Sequence, residues 1–572
     1  MTARPRTRPH VSPARRRTRA AAVAVVALLT LAGCVGIPTS GPIGTGEAVL
    51  AEPGSAIPLA NDPEPDATPV ELVNGFLRAV DAGLYDEFAV ARKFLSRAAS
   101  TEWDPRARVV VYQGRGPEIT AEPDGAVVVS VPVAATVDST GHFVEAGPSA
   151  REEVAFELRR DGAGQWRISQ LDDGVLISAP TFEQLYRQTP VYFASADRTH
   201  LVPDVRWFPT RNQATSAVEA LLAGPSEWLR DAVLTGAPEG ARLTTASVPV
   251  TDGVAQVDVS AQAQLASGAD RELLLAQLEA TLGRLPGVLV DEVRLLIGGV
   301  EVETTGAATL VRDPGPSDGP YVLSGGRLAL LEQGGLSPLE DAAAVPATAN
   351  SPALGADGVP RVVRDGTDSL LLLPPEAGAP QEVASGAGLV APSVDRFDWV
   401  WTGERTPGAS LLVVRPGGGE VRVAAEWLEG RTLQAIRVSR DGTRIAVVSS
   451  GVEGVALDVA AVVREEDGTP GLLGPAARLA PGLQEATDLA WVDEATLAVL
   501  GRTQTQSAAT MHVVVVGGRS TALPLVDGAV GVAAGRGERA LYVRTADGTL
   551  HLRQNQTWAV VAEDVQGVAF PG

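Results

Sequence analysis

The chain has 572 residues, material for three or four domains rather than one. It is 45% hydrophobic and 20% charged, which supports packed cores and excludes global disorder. Its formal net charge of −22 excludes a duplex-binding protein, which needs a basic footprint to neutralise phosphates.

Residues 1–33 read as an export leader. Seven arginines (Arg4, Arg6, Arg8, Arg15, Arg16, Arg17 and Arg19) precede an apolar run from Ala20 to Ala32, with no acidic residue. As a helix that run reaches about 20 Å, short of the roughly 30 Å hydrocarbon core, so it suits a signal sequence better than a membrane span. The residues Arg15–Arg17 lack the hydrophobic residue expected after a twin-arginine pair, since Thr18-Arg19-Ala20 follows, and they read as an ordinary basic segment. The run ends Leu31-Ala32-Gly33-Cys34, which resembles a bacterial lipobox, and Cys34 is the chain's only cysteine. The resemblance implies cleavage before Cys34, a diacylglycerol on its sulfur and a palmitoyl group on its new amino terminus. Loss of the leader takes the net charge from −22 to −29, because seven arginines leave with it. An acidic ectodomain gains nothing from anionic headgroups, so acyl chains must do the anchoring at the cell membrane, facing outward.

Residues 34–67 carry Pro38, Pro42, Pro53, Pro58, Pro63 and Pro65 without periodicity, as a semi-extended tether does. Thr68-Pro69-Val70-Glu71 is a capping box with proline at the first helical position, followed by Leu72, Val73, Phe76, Leu77 and Val80 on one helical face. A second helix is expected from Tyr85 to Leu95. Strands are expected around 109–112, 126–137, 153–158 and 166–171, with turns at Asp124-Gly125 and Asp161-Gly162. Residues 68–185 thus read as an α+β unit, similar to nuclear-transport-factor-2-like domains.

Residues 186–308 form a second α+β unit. Val191-Tyr192-Phe193 opens it as a strand, and a helix near 214–223 stops at Gly224-Pro225. Ala255, Val257 and Val259 alternate with polar residues, a helix spans 270–285, and a strand runs 293–297. Ala220-Leu221-Leu222-Ala223-Gly224-Pro225 with the later Val257-Asp258-Val259 resembles the GerMN domain of sporulation and germination proteins, a non-catalytic envelope module. Residues 309–320 are a Pro/Gly linker. From 321 to 572 short β-runs recur with landmarks at residues 355, 399, 440, 491 and 534, intervals of 44, 41, 51 and 43. Four strands occupy such a period in a propeller blade, and about six blades fit. Val438 to Ala446 resembles the hairpin of TolB-like and WD40-like propellers. Trp399, Trp401 and Trp491 fall at blade-core positions.

Chemistry is sparse. Lys93 is the only lysine, which removes P-loop and Schiff-base roles, and His10, His142, His200, His512 and His551 are scattered. One cysteine and no histidine pair leave no ordinary zinc set, no internal disulfide and no expected cofactor or metal. Spacing reveals no Ser–His–Asp or Cys–His constellation. Gly315 to Gly319 matches G-x-S-x-G, but prolines flank it in a linker. Gly535 to Ala540 matches G-x-G-x-x-A, yet leads into a strand. Asp395, Asp398, Glu404, Asp441, Asp488 and Glu494 could serve glycan chemistry, with Asp395 and Glu404 placed at the propeller mouth, although turn solvation explains them equally.

Leader, tether beginning Gly36-Ile37-Pro38-Thr39-Ser40-Gly41-Pro42, two α+β units and a propeller, in that order, resemble the actinobacterial LpqB lipoprotein family over essentially the whole chain. The resemblance implies a non-enzymatic accessory lipoprotein. Its implied partner is the extracellular sensor region of the MtrB histidine kinase, through which it tunes MtrA–MtrB signalling in envelope homeostasis and division. The alternative is an envelope lipoprotein that binds or hydrolyses glycan at the propeller mouth.

Overall fold

Thr68 opens the described fold as the sequence predicts. Its Oγ1 accepts the Glu71 N–H at 3.3 Å, and the Glu71 carboxylate accepts the Thr68 N–H at 2.9 Å. The resulting helix Pro69–Asp81 buries Leu72, Val73, Phe76, Leu77 and Val80. In this computed structural model residues 60–572 are described, apart from 115, 124, 303–306, 333–334, 340–342 and 375–377. The leader, Cys34, most of the tether and Asp124 of the expected turn lie outside them.

The continuous helix expected from Tyr85 to Leu95 is two short turns, Gly83–Asp86 and Ala89–Arg92. Glu87 and Phe88 between them are left-handed, at φ 56° and 61°. That kink drives the Phe88 ring against Trp103, centroids 5.7 Å apart, and over Gly83, where any Cβ would stand 2.1 Å from the ring. Burial of an aromatic outweighs the local helical pattern. These helices cover a sheet with strand order Trp166–Gln170, Arg151–Arg160, Val127–Asp138, Arg108–Tyr112 and Val175–Ser178. Along the twelve-residue Val127–Asp138 strand, Val127, Val129, Val131, Val133, Ala135 and Val137 point inward by strict alternation.

The strand Tyr186–Ser195 leads directly into the second unit and pairs antiparallel with Leu201–Pro209. A second sheet sets Val254–Val259 parallel to Glu292–Ile297, so a crossover must join them. The helix Gly268–Leu282 provides it, capped by Ser267, whose hydroxyl accepts the Asp270 N–H at 3.1 Å. Leu274, Leu278 and Leu282 meet Val218 and Leu221 of the helix Gln213–Ala223 in one core.

Beyond residue 320 the described strands form six blades of four. The second runs Ala349–Leu354, Arg361–Asp365, Ser369–Leu373 and Gln381–Ser385, and the others repeat this meander. The third and fourth share one sheet through the bridge Ala424↔Leu472. The first blade borrows its inner strand from the chain's end: Val565–Ala569 pairs antiparallel with Tyr321–Ser324. This pairing closes the ring and leaves no inner edge. Trp401 is fully buried, and Trp399 and Trp491 are each 5% exposed, so all three are blade-core residues.

Within a meandering blade the first and third connections lie at one end, the second and fourth at the other. The ties to the rest of the chain fall on or beside first and third connections. Tyr192 donates its hydroxyl to Glu494 at 2.6 Å, Trp207 donates its indole N–H to the Gly517 carbonyl at 3.0 Å, and Arg396 pairs with Asp197 at 2.7 Å. The linker is held too: Asp313 accepts from Arg536 at 2.8 Å and from the Glu494 N–H at 3.1 Å, and Ser317 donates to the Ala356 carbonyl at 2.8 Å. G-x-S-x-G at 315–319 is therefore part of a strap without regular structure, with no strand-to-helix elbow around it. The two α+β units, the linker and the propeller together form one compact unit.

Candidate functional site

Two places concentrate polar chemistry: the joint between the two α+β units and the axis of the propeller. At the joint, Asp138 ends the long strand and its carboxylate gathers the turn that follows. Oδ1 accepts the N–H groups of Thr140 at 2.8 Å and His142 at 2.9 Å, while Oδ2 lies 3.0 Å from His142 Nδ1. His142 Nε2 lies 2.7 Å from Ser226 Oγ in the second unit. The sequence expectation of no Ser–His–Asp constellation is corrected here, because the fold brings Asp138, His142 and Ser226 into that order across two units. Their separation of 84 residues between histidine and serine hid the contact from any local spacing rule.

The hydrogen-bond inventory decides what this trio can do. Ser226 Oγ also lies 2.6 and 2.7 Å from the two oxygens of Asp204, which can only accept. The single hydroxyl proton therefore goes to Asp204, and His142 Nε2 must donate to Ser226 rather than take its proton. A general base needs the opposite polarity. Asp204 is in turn paired at 2.8 Å with Arg206, both 2% exposed, and Arg206 donates to the Gly224 carbonyl at 2.8 Å. Ser226 is itself only 4% exposed. Burial acts to raise the Asp138 pKa, but the hydrogen bonds from His142 and Thr140 outweigh it and hold it well below the usual carboxylate range. The network fastens two units together. Beside it a cavity of about 370 Å³ opens, bordered by Asp138, Thr140, Arg206 and Trp207, and neither Ser226 nor His142 lines it.

On the propeller axis, the inner strands of all six blades enclose a cavity of about 60 Å³, with Arg437 and Arg440 on its wall. Arg440 stops it at the end bearing the first connections, donating to the carbonyls of Ala534 at 2.7 Å and Gly535 at 3.2 Å. Burial pushes the Arg440 pKa down, against the pull of Asp313 and Asp493.

The carboxylates singled out from the sequence do not assemble into an acid pair. Asp395 is corrected from the mouth to the opposite end: it is 1% exposed and accepts from Phe397 and Trp399 N–H groups at 2.9 and 3.0 Å, Trp401 Nε1 at 2.8 Å and Arg464 at 2.6 Å. Asp441 is buried in the equivalent hairpin of the next blade, paired with Arg444 and accepting from Ser439 at 2.8 Å. Asp398 occupies a left-handed turn position at φ 65°. Glu494 belongs to the joint with Tyr192. Glu404 accepts from Thr406 at 3.3 Å, and Asp488 accepts the Leu489 and Val532 N–H groups at 3.0 Å each. Only Glu404 and Asp488 sit toward the mouth. Among the described residues no three His, Cys, Asp or Glu side chains are grouped to hold a metal ion.

Fold and sites together define a multimodular propeller protein, with a GerMN-type module clamped to one end of the ring. Three family models match in chain order: "Lipoprotein LpqB, N-terminal domain" over residues 62–183, "Sporulation and spore germination" over 190–303 and "Lipoprotein LpqB beta-propeller domain" over 326–571. The chain belongs to the LpqB lipoprotein family. A lipoprotein LpqB of Bifidobacterium longum is 29% identical over 84% of this chain and 86% of its own length. One from Streptomyces avermitilis is 27% identical over 98% and 99%. Among solved structures, the first GerMN domain of the sporulation protein GerM from Bacillus subtilis is 23% identical, covers 22% of this chain and 93% of its own, and has a TM-score of 0.18. No helix among the described residues is long and apolar enough to cross a membrane.

Proposed function

We propose that this protein is a non-enzymatic accessory lipoprotein, anchored at Cys34 to the outer side of the cell membrane. There it binds the extracellular sensor region of an MtrB-like histidine kinase and adjusts MtrA–MtrB signalling. One observation carries the reading: the units behind the tether are tied into one body on one end of the propeller, so the other end offers a broad, preorganised surface. Rigid surfaces favour binding because little conformational entropy is lost on docking. Anchoring raises the effective concentration for a neighbouring membrane receptor, so a modest intrinsic affinity suffices. The glycan-hydrolase alternative loses support from Asp395 and Asp441, whose oxygens are committed to buried arginines and backbone N–H groups.

The test begins with Cys34→Ala in a strain lacking the native protein. The expected outcome is loss of lipid modification, measured by mass spectrometry, together with loss of complementation, although the folded chain is still exported. Full complementation by an unlipidated, soluble form would contradict the reading.

A further inference from the structure

Four arginines converge toward the mouth of the propeller, although the chain as a whole carries −22. Arg364, Arg405, Arg437 and Arg544 come from four different blades. Arg437, on the inner strand of the fourth, lines the axial cavity and reaches Asp488 Oδ1 of the fifth at 3.3 Å. Arg544 lies on the second strand of the sixth blade, paired in register with Gly531 on the inner strand. A Cβ at Gly531 would come 3.6 Å from Asp488 Oδ2 and 3.7 Å from Arg544 Nε, so the bare glycine lets the guanidinium lie beside that carboxylate. Arg364 is held on the second blade by Asn350 Oδ1 at 2.9 Å and the Leu389 carbonyl at 2.8 Å. Arg405 is exposed on the third blade's second connection and touches the Gln434 carbonyl at only 3.4 Å.

Burial, then the field of Arg405 and Arg437, holds the Arg364 pKa below the usual arginine range against the pull of Asp488. Burial lowers Arg544 likewise. Among the described residues, Asp488 is the carboxylate that acts on both, and it already accepts two backbone N–H groups and Arg437. Four guanidinium groups against two carboxylates, the occupied Asp488 and Glu404 beside Arg405, still leave net positive charge among these groups in a partly dehydrated place, an arrangement that costs free energy unless an anion offsets it. Each guanidinium carries five donors, and the contacts of Arg405 and Arg544 at 3.4 and 3.5 Å leave most of theirs unspent. Because Arg440 stops the far end of the axis, a ligand must enter and leave by the mouth.

We propose that the propeller mouth binds a phosphate-type oxyanion, held between the guanidinium groups of Arg364, Arg405, Arg437 and Arg544. Planar guanidinium forks match phosphate oxygens two at a time. A free polyvalent anion and a phosphate group on an envelope polymer share this chemistry.

Calorimetric titration of the full-length protein in detergent with sodium pyrophosphate tests the site. Saturable one-site binding is expected, weakened about tenfold by Arg405→Gln and by Arg544→Gln, the loss of a charge-assisted hydrogen bond. Asp488→Asn removes the opposing charge while keeping an acceptor for Arg437, and it should tighten binding severalfold. A diffuse basic surface would change only slightly on losing one carboxylate, and that change would vanish at high salt. Competition with a soluble glycerol-phosphate oligomer separates the two sources: tighter binding of the oligomer than of pyrophosphate assigns the polymer, and the reverse assigns the free anion. Arg405 is exposed, so its variant keeps the fold, which far-ultraviolet circular dichroism verifies. Absence of saturable heat, or affinity unchanged in both arginine variants, would overturn the site.

Discussion

Asp395 and Arg464 meet at 2.6 Å with side chains 0% and 7% exposed, and the Arg464 guanidinium lies 4.4 Å from the Phe397 ring centroid. Removing one member of such a pair leaves the other charged and buried, which costs about 3–5 kcal/mol. Asp395→Ala is therefore expected to destabilise the protein on that scale in urea unfolding. A variant that unfolds like the parent yet loses function in cells would return Asp395 to a chemical role. Asp197 carries a pH dependence. Burial acts to raise its pKa, but hydrogen bonds from Ser195 and Arg396 outweigh it and bring it down to about 2 from 3.8. A depressed carboxylate stabilises the fold above its unfolded pKa and loses that contribution as pH falls through the folded value. The tie between Asp197 and Arg396 should accordingly hold at neutral pH and weaken between about pH 4 and pH 2. Asp197→Asn should flatten that acid limb in unfolding monitored against pH, and an unchanged limb would assign it to other carboxylates.

The period near 43 residues was readable because each blade repeats a local meander, and Trp399, Trp401 and Trp491 marked its core. What closes the ring was not readable: Val565–Ala569 pairs with Tyr321–Ser324 across more than 240 residues, and no local pattern encodes such a partner. The capping box at Thr68 and the cap at Ser267 are local chemistry, so the helices they start could be placed from sequence. The break at Glu87–Phe88 depends on Trp103 and Gly83, so a periodicity rule carried the helix straight through it. The same reason separates the candidate sites. Cys34 stood out from its neighbours, whereas the Asp138–His142–Ser226 bridge and the four mouth arginines exist only after folding. At this scale the closing strand gives a prediction. Deleting residues 565–572 exposes the edge of Tyr321–Ser324 and the core contacts of Val565, so unfolding should lose cooperativity and the chain should bind a hydrophobic dye. A truncated protein with the parent's sharp transition would show that the ring does not depend on its closure.

Taken as a whole, the molecule joins units that the sequence reads as separate. Ala461 of the propeller belongs to the core of the GerMN-type module, and Trp228 of that module packs against the fourth and fifth blades. The segment 309–320 reads as a Pro/Gly linker by composition, and Asp313 and Ser317 bind it to blade hairpins. A body assembled this way moves as one piece, so a partner that engages the mouth also positions the other two units. The central claim is that this body works by capturing a membrane receptor. Photo-crosslinking in native membranes tests it most directly, with the reactive residue placed on second and fourth blade connections, such as positions 367, 406 and 452. The account predicts a crosslink to the extracellular region of an MtrB-like kinase, lost when the reactive residue is moved to position 535 under the linker. Capture of no kinase from any mouth position, in cells where the protein complements fully, would contradict it.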